Sequence, residues 1–397
     1  MNPLTYDAGR TQRIYAGQAA EQALVEEMKR LGVQRAFVLG SQSVLGSGFE
    51  DRLRQALGDN CVGIHTGIPA HGPQEAVWQA VQAAREARAD VLISIGGGTP
   101  IDATKVVQAA LTHGVNSLDE LRALALPTPS SATNLDSARV AGIRNIAVPT
   151  TLSGAEFASL AGALNTELKQ KQGYNHPDLA PVAIVFDPQL AALTPSRLWF
   201  SAAVRTLDHG VEGYLSPDAY PLLQEQFLNG LRLMSKGLTL AHGAMHQGDA
   251  AGASDARWLS FQGVWSISGA LGRVRFGASH GLGYILGAQH SVPHGETSCV
   301  LLPAVMEWNA QALGPQMKAI AHALGEPDQA SHEVVLKFIR ALDLPSGLSD
   351  VGLNEDQMAE IAKVGASHPV VTANPRPIQS AADVMDILRL AHANSRG

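Results

Sequence analysis

The chain has 397 residues, of which 45% are hydrophobic and 16% charged, which suits two globular domains and excludes a disordered chain. A formal net charge of -7 and a pI of about 6.0 argue against a nucleic-acid partner, whose phosphates need a surplus of Lys and Arg. Cys61 and Cys299 are too few for a disulfide scaffold or a four-cysteine zinc site, and with neither an apolar leader nor a run of about 18 apolar residues the expectation is a cytoplasmic protein with no membrane span.

In chain order, helical spacing at Ala23, Leu24, Met28 and Leu31 precedes the apolar run of residues 36–39. A helical window over residues 73–88 leads into residues 91–95 and three glycines. Residues 146–148 stop at Pro149, and residues 182–186 stop at Asp187 and Pro188. Continuous apolar runs bounded by Gly and Pro predict strands buried on both faces, hence a parallel sheet covered by helices. The Pro/Ser/Thr-rich stretch 127–137 predicts a surface loop. From Thr194 onward the strand signals fade. Thr194, Pro195 and Ser196 predict a helix start, and helical spacing continues through residues 198–215, 222–240, 258–286 and 301–324. The expected organisation is an α/β domain over residues 1–190 and an all-helical domain over 191–397.

The turn Ile95, Gly96, Gly97, Gly98, Thr99, Pro100, Ile101, Asp102 follows a predicted strand. Its glycines permit a tight turn and close approach of a ligand, and Thr99 is expected to cap the helix that follows. A helix N-terminus favours phosphate. The pattern is neither GxGxxG nor a Walker loop, and alone it reads equally as a plain strand-to-helix turn. A second polar turn, Pro149, Thr150, Thr151, Leu152, Ser153, Gly154, also ends a strand. Two such turns at strand carboxyl ends favour a nucleotide.

Three of the 14 histidines stand out: His209 on a predicted helix, His280 in Gly277–Gly281 and His294 after Pro293. Neutral imidazoles suit a divalent metal, although each singly reads as a core histidine. The sequence GASHG also fits G-x-S-x-G, but no strand precedes Ser279, which argues against a hydrolase elbow.

GGGTPIDATK after a strand, AVPTTLSGAE, IVFDPQL, a helix with His-x-x-Glu, GASHGLGYILG, SVPHGE and finally Ala373, Asn374, Pro375, Arg376, Pro377 stand in one order along the chain. In this it resembles the iron-containing (group III) alcohol dehydrogenase family, and Pro293 to Thr297 is similar to the maleylacetate reductase branch. The resemblance implies a dinucleotide-binding α/β domain followed by a helical domain, an architecture shared with dehydroquinate-synthase-like lyases, and a homodimer. It implies NAD or NADP held by Ser41, Gly96, Gly97, Gly98 and Thr99, with Asp102 supporting the turn and Thr150, Thr151 and Ser153 on the cofactor. Residues 38–42 offer no carboxylate for a ribose, so both cofactors stay open. It also implies an Fe or Zn site at His209, His280 and His294. There the family's Asp ligand is replaced by Arg205, which cannot ligate a cation, and Asp208 lies about 100° round the helix. Tyr284 stands where a further His is common, with His290 as its stand-in.

The expected activity is hydride transfer between a nicotinamide and a small carbonyl or alcohol, with a carboxylated oxo-acid such as maleylacetate in view. In that reading Arg205 stands in for the metal or clamps a substrate carboxylate, and His280, His290 or Tyr284 donates the proton. Arg205 reads equally as an ion pair with Asp208 or Glu212. The alternatives are a metal-dependent dehydrogenase of the family, a lyase, and a degenerate nucleotide-binding protein.

Overall fold

Strand β1 (Arg13–Ala16), β2 (Ala36–Gly40), β3 (Cys61–Thr66), β4 (Val91–Gly96), β5 (Arg144–Pro149) and β8 (Ala183–Phe186) form one parallel sheet in the order β1-β8-β5-β4-β2-β3. A separate antiparallel pair is made by β6 (Leu160–Asn165) and β7 (Gln170–Asn175). This is a computed structural model, and it describes residues 10–127, 135 and 142–395. Apart from Pro127 and Leu135, the expected loop at 127–137 lies outside the described residues.

β2, β4 and β8 are buried along their whole length because helices cover both faces of the sheet. Helices Ala20–Leu31 and Glu50–Leu57 pack with one face, where Leu24, Phe49, Leu53, Val38, Ile93 and Val148 share a core. Helices Gln74–Glu86 and Gly98–His113 cover the other face, around Val77, Val81, Leu39, Leu92 and Val106. β1 offers only Ile14, Tyr15 and Ala16 after Arg13, and the apolar residues of β6 are broken by Gly162. β3 is half-buried and interrupted by Gly63 and His65, and β7 begins with exposed Gln170 and Lys171.

Contacts divide the chain into two units, Met1–Thr150 with Ala155–Leu193, and Thr151–Gly154 with Thr194–Gly397. The short Thr151–Gly154 segment belongs to the second unit because Thr206 Oγ1 donates to the Leu152 carbonyl. At Gly154, with φ of 73°, an added Cβ would lie 2.1 Å from Ser268 Oγ.

The second unit is helical: Ser196–Leu215, Pro221–Gln247, Ala250–Ser268, Ala278–His290, His294–Ala310, Gly314–Ala323, Ser331–Ala341, Glu355–Gly365 and Ala381–Ala393 are its long helices. Two of the expected helices are each a pair. Residues 258–286 break after Ser268, where Gly269 caps the helix and Gly272 takes φ of 84°. Residues 301–324 break between Ala310 and Gly314.

In the first unit Lys105 is fully buried midway along Gly98–His113, and its Nζ donates to the Ala155 carbonyl at 2.6 Å. Beside it Glu156 is 0% exposed, and burial pushes its carboxyl up to about 7. An acid whose folded pKa exceeds its unfolded value of 4.5 is favoured in the fold only while protonated. The contribution of Glu156 to stability is therefore most favourable below pH 4.5 and falls by on the order of 3 kcal/mol as pH rises to about 7. Glu156→Gln, which mimics the protonated acid, is expected to flatten this dependence. Denaturant midpoints at pH 5 and pH 8 check it, and an unchanged difference between the two pH values would refute the assignment.

Candidate functional site

The chain leaves β2 toward β3 on one side and leaves β4 toward β5 on the other, so the topological switch point of the sheet lies between β2 and β4. Ser41 and Gly96 meet there. The Ser41 N–H donates to the Ile95 carbonyl at 2.9 Å, and the Thr150 N–H donates to the Gly96 carbonyl at 2.9 Å. Gly96 has φ of 139°, and a Cβ on it would sit 3.0 Å from Pro100 Cγ and 3.2 Å from Ser41 Oγ. Both its conformation and its surroundings require glycine.

Helix Gly98–His113 starts at once, with Gly97 as its N-cap and no side-chain cap. Thr99 is therefore not the cap that the sequence suggests but the second helical residue, because the turn closes earlier, at the glycines. Asp102 does not support the turn either. Its Oδ2 accepts from the Gly162 N–H at 3.2 Å and lies 3.4 Å from Lys171 Nζ, so it braces the β6–β7 hairpin. Uncapped N–H groups at the start of a 16-residue helix and the partnerless, buried Ser41 hydroxyl fit a dinucleotide's pyrophosphate. Thr151 and Ser153 belong to the second unit, where Thr151 is buried and the Ser153 hydroxyl has no partner.

The chemistry of the second unit centres on helix Ser196–Leu215, which carries Arg205, Asp208, His209 and Glu212. Spacings of three and four place Arg205 beside both Asp208 and His209. Arg205 is 3% exposed. Its Nη1 donates to Ser298 Oγ at 3.0 Å and lies 3.6 Å from Asp208 Oδ2, while the guanidinium sits over the Tyr284 ring, 5.7 Å from its centroid. Asp208 thus faces the cluster, contrary to the helical-wheel expectation that it turns away. The wheel separates it from His209, whereas three residues from Arg205 is nearly one turn. Asp208 Oδ2 also accepts from the Ser279 and Ser298 hydroxyls at 2.7 and 2.6 Å.

Glu212 organises the start of helix Ala278–His290. Its Oε2 accepts from the Gly277 N–H at 2.9 Å and from His280 Nδ1 at 2.7 Å, and its Oε1 accepts from the Ser279 N–H at 2.8 Å. A carboxylate thus satisfies the exposed donors of a helix N-terminus, a role that a local cap would ordinarily take. With both Glu212 oxygens already accepting, His280 Nδ1 is the donor and Nε2 is left as an acceptor. The His280 ring stacks on Phe276 at 4.1 Å and on His209 at 4.8 Å. Burial, followed by the Arg205 charge, lowers His280 to about 3. Burial, followed by His280, Arg205 and His294, holds His209 well below its ordinary value. Both imidazoles are neutral at physiological pH, and His280 is a poor proton donor.

The remaining expected residues divide. Tyr284 is 42% exposed and joins the cluster through Arg205 and through the His280 ring at 6.5 Å. His294 is exposed and begins helix His294–Ala310. His290 does not join. It lies ten residues beyond His280 on one helix, about 15 Å along the axis, and contacts Gln357 Nε2 at 3.3 Å. Of the PHGE motif, Glu296 pairs with Arg197 at 2.6 Å, and Gly295 packs so close to Ser201 that a Cβ would meet its backbone at 2.7 Å. Asn374 Oδ1 accepts from the Ala278 N–H at 3.2 Å, and Arg376 lies 3.6 Å from the Trp308 ring centroid. Sequence reasoning missed Ser279, Ser298, Phe276 and the capping role of Glu212. The His-x-x-Glu pattern was the one available signal for Glu212.

The donor set does not fit the divalent ion that the three histidines suggest. Asp208, Glu212 and His280 bring ligand atoms within 4.8 Å of one another, but Asp208 Oδ2 and both Glu212 oxygens already accept hydrogen bonds, which leaves Asp208 Oδ1 as the one carboxylate oxygen of the three without a hydrogen-bond partner, and Arg205 carries a fixed charge into the same cluster. That charge raises the free energy of a bound cation. Among the partnerless atoms of the cluster, Arg205 Nε is the fixed donor, and a donor on a permanent cation fits an anionic oxygen of a ligand.

Comparison with known proteins gives the family. Residues 11–188 match a family model described as iron-containing alcohol dehydrogenase, and residues 200–392 match one for the C-terminal part of the Fe-containing alcohol dehydrogenase family. Dehydrogenase FUM7 of Gibberella moniliformis is 31% identical, with 93% of each chain covered. Maleylacetate reductase 2 of Cupriavidus pinatubonensis is 30% identical over 79% of this chain and 77% of that one. The solved maleylacetate reductase of Agrobacterium tumefaciens superposes with a TM-score of 0.82 over 100% of both chains at 24% identity.

Proposed function

Because the chain belongs to the iron-containing alcohol dehydrogenase family and is an oxidoreductase of alcohol and carbonyl groups, we propose that it is an NAD(P)-dependent reductase of a small carboxylated carbonyl compound, of the maleylacetate kind, that needs no catalytic metal. The observation that carries this reading is Arg205, a buried guanidinium amid neutral imidazoles with its Nε unpartnered. When bound, the nicotinamide supplies the hydride. The first unit holds the pyrophosphate on Ser41 and the Gly96–Gly98 turn. No carboxylate at the end of β2 repels a 2′-phosphate, which supports acceptance of NADP as well as NAD.

In the second unit Arg205 answers the negative charge, either on the carbonyl oxygen as it gains the hydride or on a substrate carboxylate. Asp208 and Ser298 fix its direction, and Glu212 fixes the His280 ring beside it. Tyr284, whose ring lies under the guanidinium, is the assigned proton donor, since His280 presents an acceptor and His290 lies elsewhere.

Elemental analysis of the purified protein, with NADH and NADPH oxidation by maleylacetate before and after chelation, tests the proposal. Oxidation that survives chelation in metal-free protein is the expected result. Near-stoichiometric metal with chelator-sensitive turnover would overturn the metal-free mechanism. Absence of oxidation with either cofactor would remove maleylacetate as the substrate.

A further inference from the structure

Away from the Arg205 cluster, His242 and His246 lie four apart near the end of helix Pro221–Gln247, on one face of it. Their rings meet at 4.1 Å. Both direct Nε2 at one oxygen, Asp343 Oδ2, at 3.5 Å from His242 and 3.9 Å from His246. The three ligand atoms all lie within 4.8 Å of one another. These separations are too long for hydrogen bonds. They match what a shared cation imposes, because two ligand bonds of about 2.1 Å at a tetrahedral angle put their donor atoms about 3.4 Å apart.

Asp343 supplies an independent observation. Helix Ser331–Ala341 ends in a turn where the Asp343 N–H donates to the Arg340 carbonyl at 3.2 Å and the Leu344 N–H donates to the Ile339 carbonyl at 3.3 Å. Asp343 holds the left-handed position of that turn, with φ of 57°, where glycine is least strained. The carboxylate placed there is the one that both imidazoles face. The Phe200 ring meets His242 edge to face, centroids 5.6 Å apart, and helps to orient it.

We infer that His242, His246 and Asp343 form a site for a borderline divalent cation such as Zn²⁺. Two imidazoles and one carboxylate are the ligands, and because His246 and Asp343 are exposed, water completes the shell. A bound ion clips the end of helix Pro221–Gln247 to the turn after Ser331–Ala341.

The test titrates the metal-stripped full chain with Zn²⁺ against a chromophoric chelator and records melting with and without Zn²⁺. The expected result is one Zn²⁺ bound per chain with a rise in Tm. His246→Ala and Asp343→Gly should each weaken that binding by roughly tenfold or more and abolish the rise. Asp343→Gly relieves the backbone while deleting the ligand, so loss of fold cannot account for its effect. His209→Ala should leave the binding in place. Equal binding and melting in wild type, His246→Ala and Asp343→Gly would overturn the site, as would loss of the ion in His209→Ala.

Discussion

Arg205→Ala is expected to lower kcat/KM for a carboxylated carbonyl substrate by roughly 10²–10³, the usual consequence of deleting one preorganised donor to a developing oxyanion. Arg205 lies on the second unit, its guanidinium donating to Ser298 and pairing with Asp208, so NAD(P)H affinity should stay within about twofold. Asp208 keeps two hydroxyl donors in the variant, which preserves the helix around it. A fall mainly in kcat identifies Arg205 with the carbonyl oxygen, and a rise mainly in KM identifies it with the substrate carboxylate. Arg205→Lys retains the charge without the planar fork and should recover only part of the loss. Arg205→Asp makes the complementary case. It removes the cation and supplies the carboxylate that the family's metal site otherwise has, so this variant should take up one Fe²⁺ or Zn²⁺ per chain more than the natural protein does, and elemental analysis of the two side by side would detect the difference. Steady-state turnover of Arg205→Ala equal to that of the natural protein would end the assignment.

The elements legible in the sequence are those whose identity rests on local chemistry. β2, β4, β5 and β8 are buried on both faces and contain continuous apolar runs. The Gly96–Gly98 turn announces itself by three consecutive glycines, of which Gly96, with φ of 139°, has the backbone that requires one. β1, β3 and the β6–β7 hairpin escaped because their partners, not their own residues, make them strands: Arg13–Ala16 is a strand by pairing with Ala183–Phe186, far along the chain. The site was legible in the same graded way. His209 and His280 stood out as matches to a family pattern and Arg205 as the departure from it, and helical spacing put Arg205 with His209. Spacing along a single helix does not reveal what the next helix brings. Ser279 and Ser298 arrive from two other helices to hold Asp208. His290, near His280 in number, is separated from it by nearly the full length of a helix. Thr99 was misplaced for a related reason, since a run of three glycines leaves the first helical residue ambiguous until the turn is seen.

Glu212→Ala should be the most destabilising change in the second unit. The carboxylate accepts from the Gly277 and Ser279 N–H groups and from the His280 ring, with the His280 N–H at 3.4 Å. Each of these donors is buried and has no water to turn to when the acceptor is removed. Leaving several of them unpaired, together with loss of the negative charge at the helix N-terminus, costs about 3–5 kcal/mol, a fall in Tm of roughly 10 °C. Gly277 makes room for the carboxylate: a Cβ there would meet Glu212 Oε1 at 3.2 Å and Asn374 Oδ1 at 2.7 Å. Glu212→Gln keeps one acceptor but turns an amide N–H toward His280 Nδ1. It should fall between the two in stability, and turnover should drop further than stability alone accounts for, since the imidazole proton must move to Nε2. Calorimetric melting of both variants and their turnover well below Tm check this. A Glu212→Ala melt within about 2 °C of the natural protein, less than 1 kcal/mol by the same scaling, would show that the helix start is held by Asn374 and packing instead of by this carboxylate.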